Sequence, residues 1–298
     1  MKVCFCVNAR NKERFVAKAV RGALSQTYPS EVILSCQPSR DNTLQVIRDT
    51  VEQYGLTHHE VRILECPIGG AYGMKAMNAH MRWIMDQTDA EWLFQSSADD
   101  YSLPDRVKVC MEAVENNPCS AVATTMYFLE PGQKLEGNVP VSGYPQESGY
   151  VPPGEGLIKL AYGSVIAGYR RDFLLSLGEP NDSTPDVYFG FLAALDKGFY
   201  VVADPQHVHC THANVQNTGF QGKMKAAQGG ELMRLMELNH FQLLALYDAC
   251  LMKAQELHPN GFDQDAYVAC VNMILGQSKG WLEARKELHR HQLTPGIL

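Results

Sequence analysis

The sequence predicts an α/β fold, a mostly parallel sheet flanked by helices, with an added helical region at the C-terminal end. Three observations predict it. Short apolar runs alternate with stretches of helical periodicity from Val3 to Gln95. The apolar run at Trp92 ends in two adjacent carboxylates, Asp99 and Asp100. Polar groups at the end of a buried strand mark the ligand-binding edge of an α/β sheet. Beyond residue 216 the apolar residues recur only at helical spacing.

Val3–Val7 is an apolar run that ends in Asn8-Ala-Arg-Asn11, which reads as a buried strand leading into a polar loop. Phe15, Val16, Ala19, Val20, Ala23 and Leu24 then follow helical spacing, and Gln26-Thr-Tyr-Pro29 stops that helix. Val32–Leu34 is a second strand. Ser39-Arg-Asp-Asn-Thr43 supplies a cap, and Leu44, Ile47, Val51 and Tyr54 load a second helix. Val61–Leu64 is a third strand, followed by the glycine loop Gly69-Gly-Ala-Tyr-Gly73 and a helix carrying Met74, Met77, Met81 and Ile84. Trp92–Gln95 is the fourth strand. This order implies parallel strands with their loops gathered on one edge. Pro104 opens a further helix through Val114, and Ala121–Phe128 reads as a strand. Glu130–Gly156 reads as a long functional loop, with Tyr127, Tyr144 and Tyr150 as an aromatic lid, and Leu157–Ala161 as a short helical patch. Short helices at Phe173–Leu177 and from Tyr188 toward Gly198 precede a strand at Phe199–Ala203. The last helices break near His258-Pro-Asn-Gly261.

The chain has 298 residues, 45% hydrophobic and 20% charged, with a formal net charge of −7. That balance excludes a general electrostatic attraction to nucleic acid or to anionic membranes. Nine cysteines without a C-x-x-C pair lie in apolar surroundings and read as reduced, buried thiols. With no signal-peptide-like or membrane-spanning run, a cytoplasmic protein without an integral membrane segment is expected.

Asp99 and Asp100 have two readings. Hard oxygen ligands at a strand tip suit Mg²⁺ or Mn²⁺ and hence a diphosphate. Alternatively they cap the helix that Pro104 opens. Asn8, Arg10 and Asn11 stand at another strand tip, where such loops touch nucleotide or are merely solvated. Lys75 and Asn78 open a helix after glycines, an anion-facing place or a plain exposed face. Arg170 and Arg171 can hold acceptor or phosphate, or serve an ion pair. His207, His209 and Cys210, with His212, offer a zinc alternative in which alternation puts the first two histidines on one strand face.

The order of these pieces resembles an inverting family 2 glycosyltransferase with the GT-A (Rossmann-like) fold. The first strand with its polar loop, Gln26-Thr-Tyr-Pro29, Ser39-Arg-Asp-Asn-Thr43 and Ala98-Asp-Asp-Tyr-Ser-Leu-Pro104 match that family's segments in order. Arg170-Arg171, Asp186, Lys197-Gly198 and His212 follow in the order of its acceptor half. The resemblance implies a GT-A domain over 1–215, with a nucleotide-sugar half at 1–117 and an acceptor half at 118–215, then a helical extension at 216–298. It also implies a nucleotide-sugar donor and a Mn²⁺ or Mg²⁺ ion held by Asp99 and His212. Asp186, with Asp182 as the fallback, is the general base for an inverting transfer to an acceptor hydroxyl. Donor contacts fall to Asn8, Arg10, Asn11, Gln37, Lys75, Asn78, Ser97, Asp99 and Asp100. Cys36-Gln37 stands where the family carries an aspartate, so that contact is an uncharged amide. Ser97 replaces the first carboxylate of the metal-binding pair. The acceptor stays open among saccharide, lipid-linked sugar, protein side chain and modified nucleic-acid base. The C-terminal helices can form a homo-oligomer interface, cover the cleft or complete the core. Two other readings stand beside transfer: a catalytically impaired binding or assembly protein, and a nucleotidyltransferase, whose glycine-rich loop Asn8-Ala-Arg-Asn11 lacks.

Overall fold

The computed structural model describes residues 1–69, 74–130, 132–136, 147–153, 165–178, 185–210 and 229–261, and 263–265, 267–268, 271–272, 276, 279–280 and 283. Side chains at 74–78, 165–167, 185–187 and at many positions from 229 onward lie outside the description. The chain divides into two compact units, Met1–Ala213 and Asn214–Leu298.

The first unit is built on one nine-stranded sheet. Its strands are β1 (Val3–Ala9), β2 (Glu31–Cys36), β3 (Glu60–Glu65), β4 (Trp92–Ser97), β5 (Tyr101–Ser102), β6 (Ala121–Leu129), β7 (Gly149–Val151), β8 (Val165–Arg170) and β9 (Phe199–Cys210). Helices α1 (Val16–Leu24), α2 (Thr43–Tyr54), α3 (Met74–Asp86), α4 (Arg106–Val114), α5 (Arg171–Ser176) and α6 (Pro185–Asp196) connect them. The strand order is β3-β2-β1-β4-β8-β6-β9-β5, with β7 paired to β9. β3, β2, β1 and β4 are mutually parallel, as the alternating pattern predicts. β8 runs antiparallel between β4 and β6, while β6 and β9 are again parallel. The C-terminal ends of β1, β2, β3, β4, β6 and β9 therefore share one edge of the sheet.

β1 sits between two parallel neighbours and is buried on both faces, which explains its unbroken apolar run. Phe5, Val7, Val20, Leu34, Ile47, Phe94 and Val107 meet in the core around it. The described cysteines are free thiols, and burial pushes Cys6 and Cys110 up to about 12, so they stay protonated.

Gln26, fully buried after α1, ties two segments together. Its amide donates to the carbonyls of Gly22 and Leu103, both at 2.8 Å, and its oxygen accepts the Val107 N–H at 3.0 Å. That last bond satisfies a donor at the start of α4. Thr27 adds its N–H to the Pro104 carbonyl at 2.8 Å and its hydroxyl to Asp105 at 2.6 Å. α1 comes so close to β5 that a Cβ on Gly22 would lie 2.9 Å from the Ser102 carbonyl oxygen.

Four features depart from the sequence reading. β5 has only two residues, too few to show a pattern, and pairs antiparallel with β9. β9 does not stop at Ala203 but runs on through Pro205 to Cys210. Pro205, which has no N–H to donate, sits where the β6 register shifts around Thr125. The expected Glu130–Gly156 loop contains β7, which pairs with β9, and Tyr150 donates its hydroxyl to the Lys197 carbonyl at 2.9 Å. Tyr150 is thereby part of the sheet rather than of a lid, whereas Tyr144 and the Leu157–Ala161 patch lie outside the described residues. Gly198 turns the chain from α6 into β9 with φ of +67°, and a Cβ there would approach the Val151 carbonyl oxygen to 2.1 Å.

In the second unit, α7 (Gly229–Leu257) buries Tyr247, Cys250 and Ala254, and the Tyr267 hydroxyl donates to the Tyr247 carbonyl at 2.5 Å. The helix ends at Leu257, just before the predicted break, and Gly261 takes φ of +98°. Among the described residues, no helix is long and apolar enough to cross a membrane.

Two predictions follow from this packing. Gln26→Ala leaves the buried Val107 N–H without its acceptor and takes one of two donors from each of the Gly22 and Leu103 carbonyls, and is expected to cost about 1–3 kcal/mol in urea unfolding. Gln26→Met, of similar volume, should cost nearly as much, which separates hydrogen bonding from packing.

The second concerns histidines held neutral. Burial lowers His80 to about 4, with the Ser35 hydroxyl 2.5 Å from Nε2. Burial also lowers His59, whose Nδ1 accepts the Ser30 N–H at 3.2 Å while Nε2 donates to the Gln26 carbonyl at 3.0 Å. The unfolded chain takes up protons below about pH 6.5 while the folded imidazoles resist them. Stability is therefore full above pH 6.5 and declines toward pH 4, by about 3 kcal/mol for His80 alone at about 1.4 kcal/mol per unit. Unfolding midpoints measured across this range should flatten in His80→Gln.

Candidate active site

The tips of β1, β2 and β4 bring the site together. Asn8 lies in register with Ser35 on one side and Ser97 on the other, and Ala9 pairs with Cys36. The Ala98 N–H donates to the Asn8 carbonyl at 3.2 Å, and the Asn8 amide reaches Met81 Sδ at 3.1 Å. Beyond these tips the loops after β1 and β2 are knitted together. The Asn11 N–H donates to Ser39 Oγ at 3.1 Å, and Asn11 Oδ1 accepts the Arg40 N–H at 2.8 Å. Asn11 takes φ of 51°, a left-handed turn that asparagine tolerates better than most residues. Asp41 accepts the N–H groups of Glu13 and Thr43, both at 3.1 Å. It thus caps α2, the task the sequence assigns to this segment. Gln37 is buried at the tip of β2 and donates its amide to the Ile68 carbonyl at 3.4 Å.

A tight turn separates the two aspartates. The Asp100 N–H closes onto the Ser97 carbonyl at 3.2 Å, so Ser97 is exposed, Asp99 half-buried and Asp100 buried. Asp99 meets the Lys12 ammonium, whose side chain comes from the loop after β1. Asp100 points into the protein. Its Oδ1 accepts the Cys210 N–H at 3.0 Å, His209 Nδ1 lies 3.1–3.2 Å from its two oxygens, and His207 Nε2 lies 3.5 Å from Oδ2. Burial by itself would raise Asp100, but the hydrogen bonds and charges of His207 and His209 outweigh it and hold the carboxyl below the usual range. Beneath the turn, fully buried Arg106 donates to the Gln95 carbonyl at 3.0 Å and to Ser102 Oγ at 2.8 Å. Burial lowers Arg106 to about 10, still a cation at neutral pH.

The structure corrects the sequence reading here. Asp100 does not cap the helix after Pro104, because Gln26 holds the Val107 N–H and both Asp100 oxygens are taken by β9. For the same reason the buried Asp100 is turned away from the solvent edge where a donor sugar would lie. His207 and His209 do share a face of β9, but they converge on Asp100. Among the described residues, no group of three or more His, Cys, Asp or Glu is arranged to hold a metal, so the zinc alternative has no support there.

Arg170 and Arg171 are also placed elsewhere. Arg170 pairs with Trp92 at the opposite end of β4 from Asp99, and its guanidinium is bound to Asp172 at 2.6 and 3.0 Å. Arg171 donates to the Met85 carbonyl at 3.1 Å. Both are structural at that end of the sheet. Arg10 follows β1 at the site edge. Lys75 and Asn78 fall in the first two turns of α3 and Asp186 in the first turn of α6, but their side chains lie outside the described residues. His212 and Asp182 lie outside them altogether.

Lys12 and Arg106 are the site residues that the sequence reading does not single out. One signal for Lys12 is its charge: it precedes a helix whose first turn has no acidic residue, a place where a cation is locally unfavourable. Arg106 lies within an apolar helical pattern, where a lone arginine calls for a buried partner.

Residues 4–173 match the model of glycosyl transferase family 2. Over 138 residues the chain is 31% identical to a chondroitin synthase of Pasteurella multocida (strain Pm70) and to a hyaluronan synthase of Pasteurella multocida. These alignments cover 46% of this chain and only 13% of each relative. Among solved structures, S. aureus TarS 1–349 in complex with UDP-GlcNAc superposes with a TM-score of 0.56 at 16% identity, over 92% of this chain and 80% of that one. Mannosyltransferase PcManGT from Pyrobaculum calidifontis, in complex with GDP-Man and Mn²⁺, gives 0.51 at 13% identity, over 98% and 82%. These likenesses establish the GT-A fold. With the family match running from the first strand to the helix after β8, the chain belongs to glycosyl transferase family 2.

Proposed function

We propose that the chain transfers a sugar from a nucleotide-activated donor to an acceptor hydroxyl, with inversion at the anomeric carbon. The observation that carries this reading is the gathering of Asn8, Asn11, Gln37, Ser97 and Asp99 on the tips and loops of three adjacent parallel strands. Ligands of open α/β sheets bind at that edge. The solved relatives named above hold UDP-GlcNAc in one case and GDP-Man with Mn²⁺ in the other, which makes these the first donors to test.

Asp99 fits a Mg²⁺ or Mn²⁺ ion of the kind that takes one or two carboxylates from the protein and the rest of its ligands from phosphates and water. Such an ion, when bound, supplies positive charge to the leaving diphosphate. Asn8, Arg10 and Asn11 border the same space, and Gln37 offers the base or ribose an uncharged amide.

Asp186 is the proposed base. α6 ends at Asp196, whose carboxylate accepts from Ser120 just before β6, at the edge opposite the strand tips. A helix of 12 residues rises about 18 Å, enough for its first turn to reach toward the donor edge, which supports this reading. From there a carboxylate takes the acceptor's proton as the oxygen attacks opposite the leaving group. The acceptor class is left to experiment among saccharide, protein and modified nucleic-acid base.

The test is a screen of nucleotide sugars for turnover and donor hydrolysis, with and without Mn²⁺. Asp99→Ala and Asp186→Ala are each expected to lower turnover about a hundredfold or more while leaving unfolding unchanged. Asp100→Ala should behave differently, because it strips β9 of its buried acceptor and costs about 3 kcal/mol of stability. If no nucleotide binds under any condition, the transfer reading fails and a binding or assembly role takes its place.

A further inference from the structure

Lys12 makes an ion pair that the proposed transfer leaves unused. Its ammonium meets Asp99, and both side chains are about one-quarter exposed. Its backbone is fixed. The Lys12 N–H donates to Thr43 Oγ1 at 2.6 Å, and its carbonyl accepts the N–H groups of Phe15 at 3.0 Å and Val16 at 2.9 Å. Asn11, immediately before it, is held by Ser39 and Arg40. Only the long side chain is left to move, from a root at the mouth of the candidate site.

That root is an unfavourable place for a cation. Lys12 lies three residues before Phe15, the N-cap of α1, and its carbonyl accepts from the first turn, so it stands off the positive end of a nine-residue helix with no acidic residue in its first turn. A lysine there gains only if an anion faces it. Asp99 provides one, and a donor diphosphate beside Asp99 would provide a second with more charge. A divalent ion and an ammonium cannot both sit close to one carboxylate without strong repulsion.

We propose that Lys12 is a tethered cation that occupies Asp99 when no donor is present and passes to the donor's diphosphate when Asp99 takes a divalent ion. The exchange keeps Asp99 neutralised in both states and keeps free metal ions off it until the nucleotide arrives. This rests on the reading of Asp99 as the metal ligand of a nucleotide-sugar site.

The test uses the full chain and measures binding directly. Mn²⁺ affinity without nucleotide is read from the free-ion electron paramagnetic resonance signal, and UDP and GDP affinities at saturating Mn²⁺ are read by calorimetry. Lys12→Met should bind Mn²⁺ about tenfold more tightly than wild type, and whichever nucleotide binds should do so about tenfold more weakly. Lys12→Arg, which keeps the charge, should restore both values toward wild type. In Lys12→Met/Asp99→Asn the gain in Mn²⁺ affinity should vanish. Unchanged Mn²⁺ affinity in Lys12→Met, with unfolding like wild type, overturns the proposal whether or not nucleotide binds. If neither UDP nor GDP binds to any variant, passage to the diphosphate is overturned and the donor reading falls for these nucleotides. The Mn²⁺ arm still decides in that case whether Lys12 guards Asp99.

Discussion

The architecture of the site depends on one buried carboxylate. Asp100 accepts from His209 and from the Cys210 backbone, with His207 alongside, and all three come from the end of β9. β9 lies three places away from β4 in the sheet order, across β8 and β6. Asp100 therefore ties the turn that ends the parallel half to the last strand of the mixed half. Breaking a buried pair of this kind exposes the cost of every partner left behind. Arg106 below the turn adds a buried cation whose charge also favours an ionised Asp100. With Asp100 facing inward, the turn leaves Asp99 facing the strand tips, so the neighbouring acids divide into a structural one and an accessible one.

A second constraint positions the turn from the other side. Gln26 and Thr27 fix the start of α4 through the Val107 N–H and the Pro104 carbonyl, so the segment after Asp100 is clamped as firmly as the segment before it. Asp41 and Asn11 do the same for the loops after β2 and β1. These segments read in the sequence as signatures of a family. In the structure their hydrogen bonds go to other loops, so much of the signature specifies where the strand tips lie. The residues that would face a ligand are fewer: Asn8, Asn11, Gln37, Ser97 and Asp99.

The parallel half was legible because each of its elements carries its own signal. Val3–Val7 and Val32–Leu34 are continuous apolar runs because both faces of those strands are buried. α1 and α2 show helical spacing because each buries one face. The mixed half was less legible because its structure depends on pairing between distant segments. β5 and β7 have two and three residues, and β9 contains a proline, so local pattern says little about any of them. Strand order put Asn8 and Asp99, and the family resemblance put Gln37 and Ser97, at the C-terminal edge of the parallel strands, where the structure has them. Sequence could not see that Asp100 turns inward, since that depends on histidines more than 100 residues later. It also could not separate Arg170 and Arg171 from the site, because only the antiparallel direction of β8 sends them to the far end of β4.

The substitution of Ser97 for a carboxylate gains meaning from this arrangement. Two acids at Ser97 and Asp99 would concentrate negative charge on one turn beside buried Asp100, and a divalent ion could satisfy them before any donor arrived. With a hydroxyl at Ser97, the turn presents one accessible carboxylate, and a single ammonium is enough to balance it. A site of this kind has little reason to hold a metal ion alone, because one carboxylate leaves most of the coordination shell to water. On the proposed reading a donor diphosphate would supply the missing anionic ligands, and metal and donor affinities would be linked through the same space. Charge balance at Asp99 thus connects three sequence features that are far apart in the chain: the lysine before α1, the serine at the tip of β4, and the aspartate that the Asp100 anchor leaves facing outward.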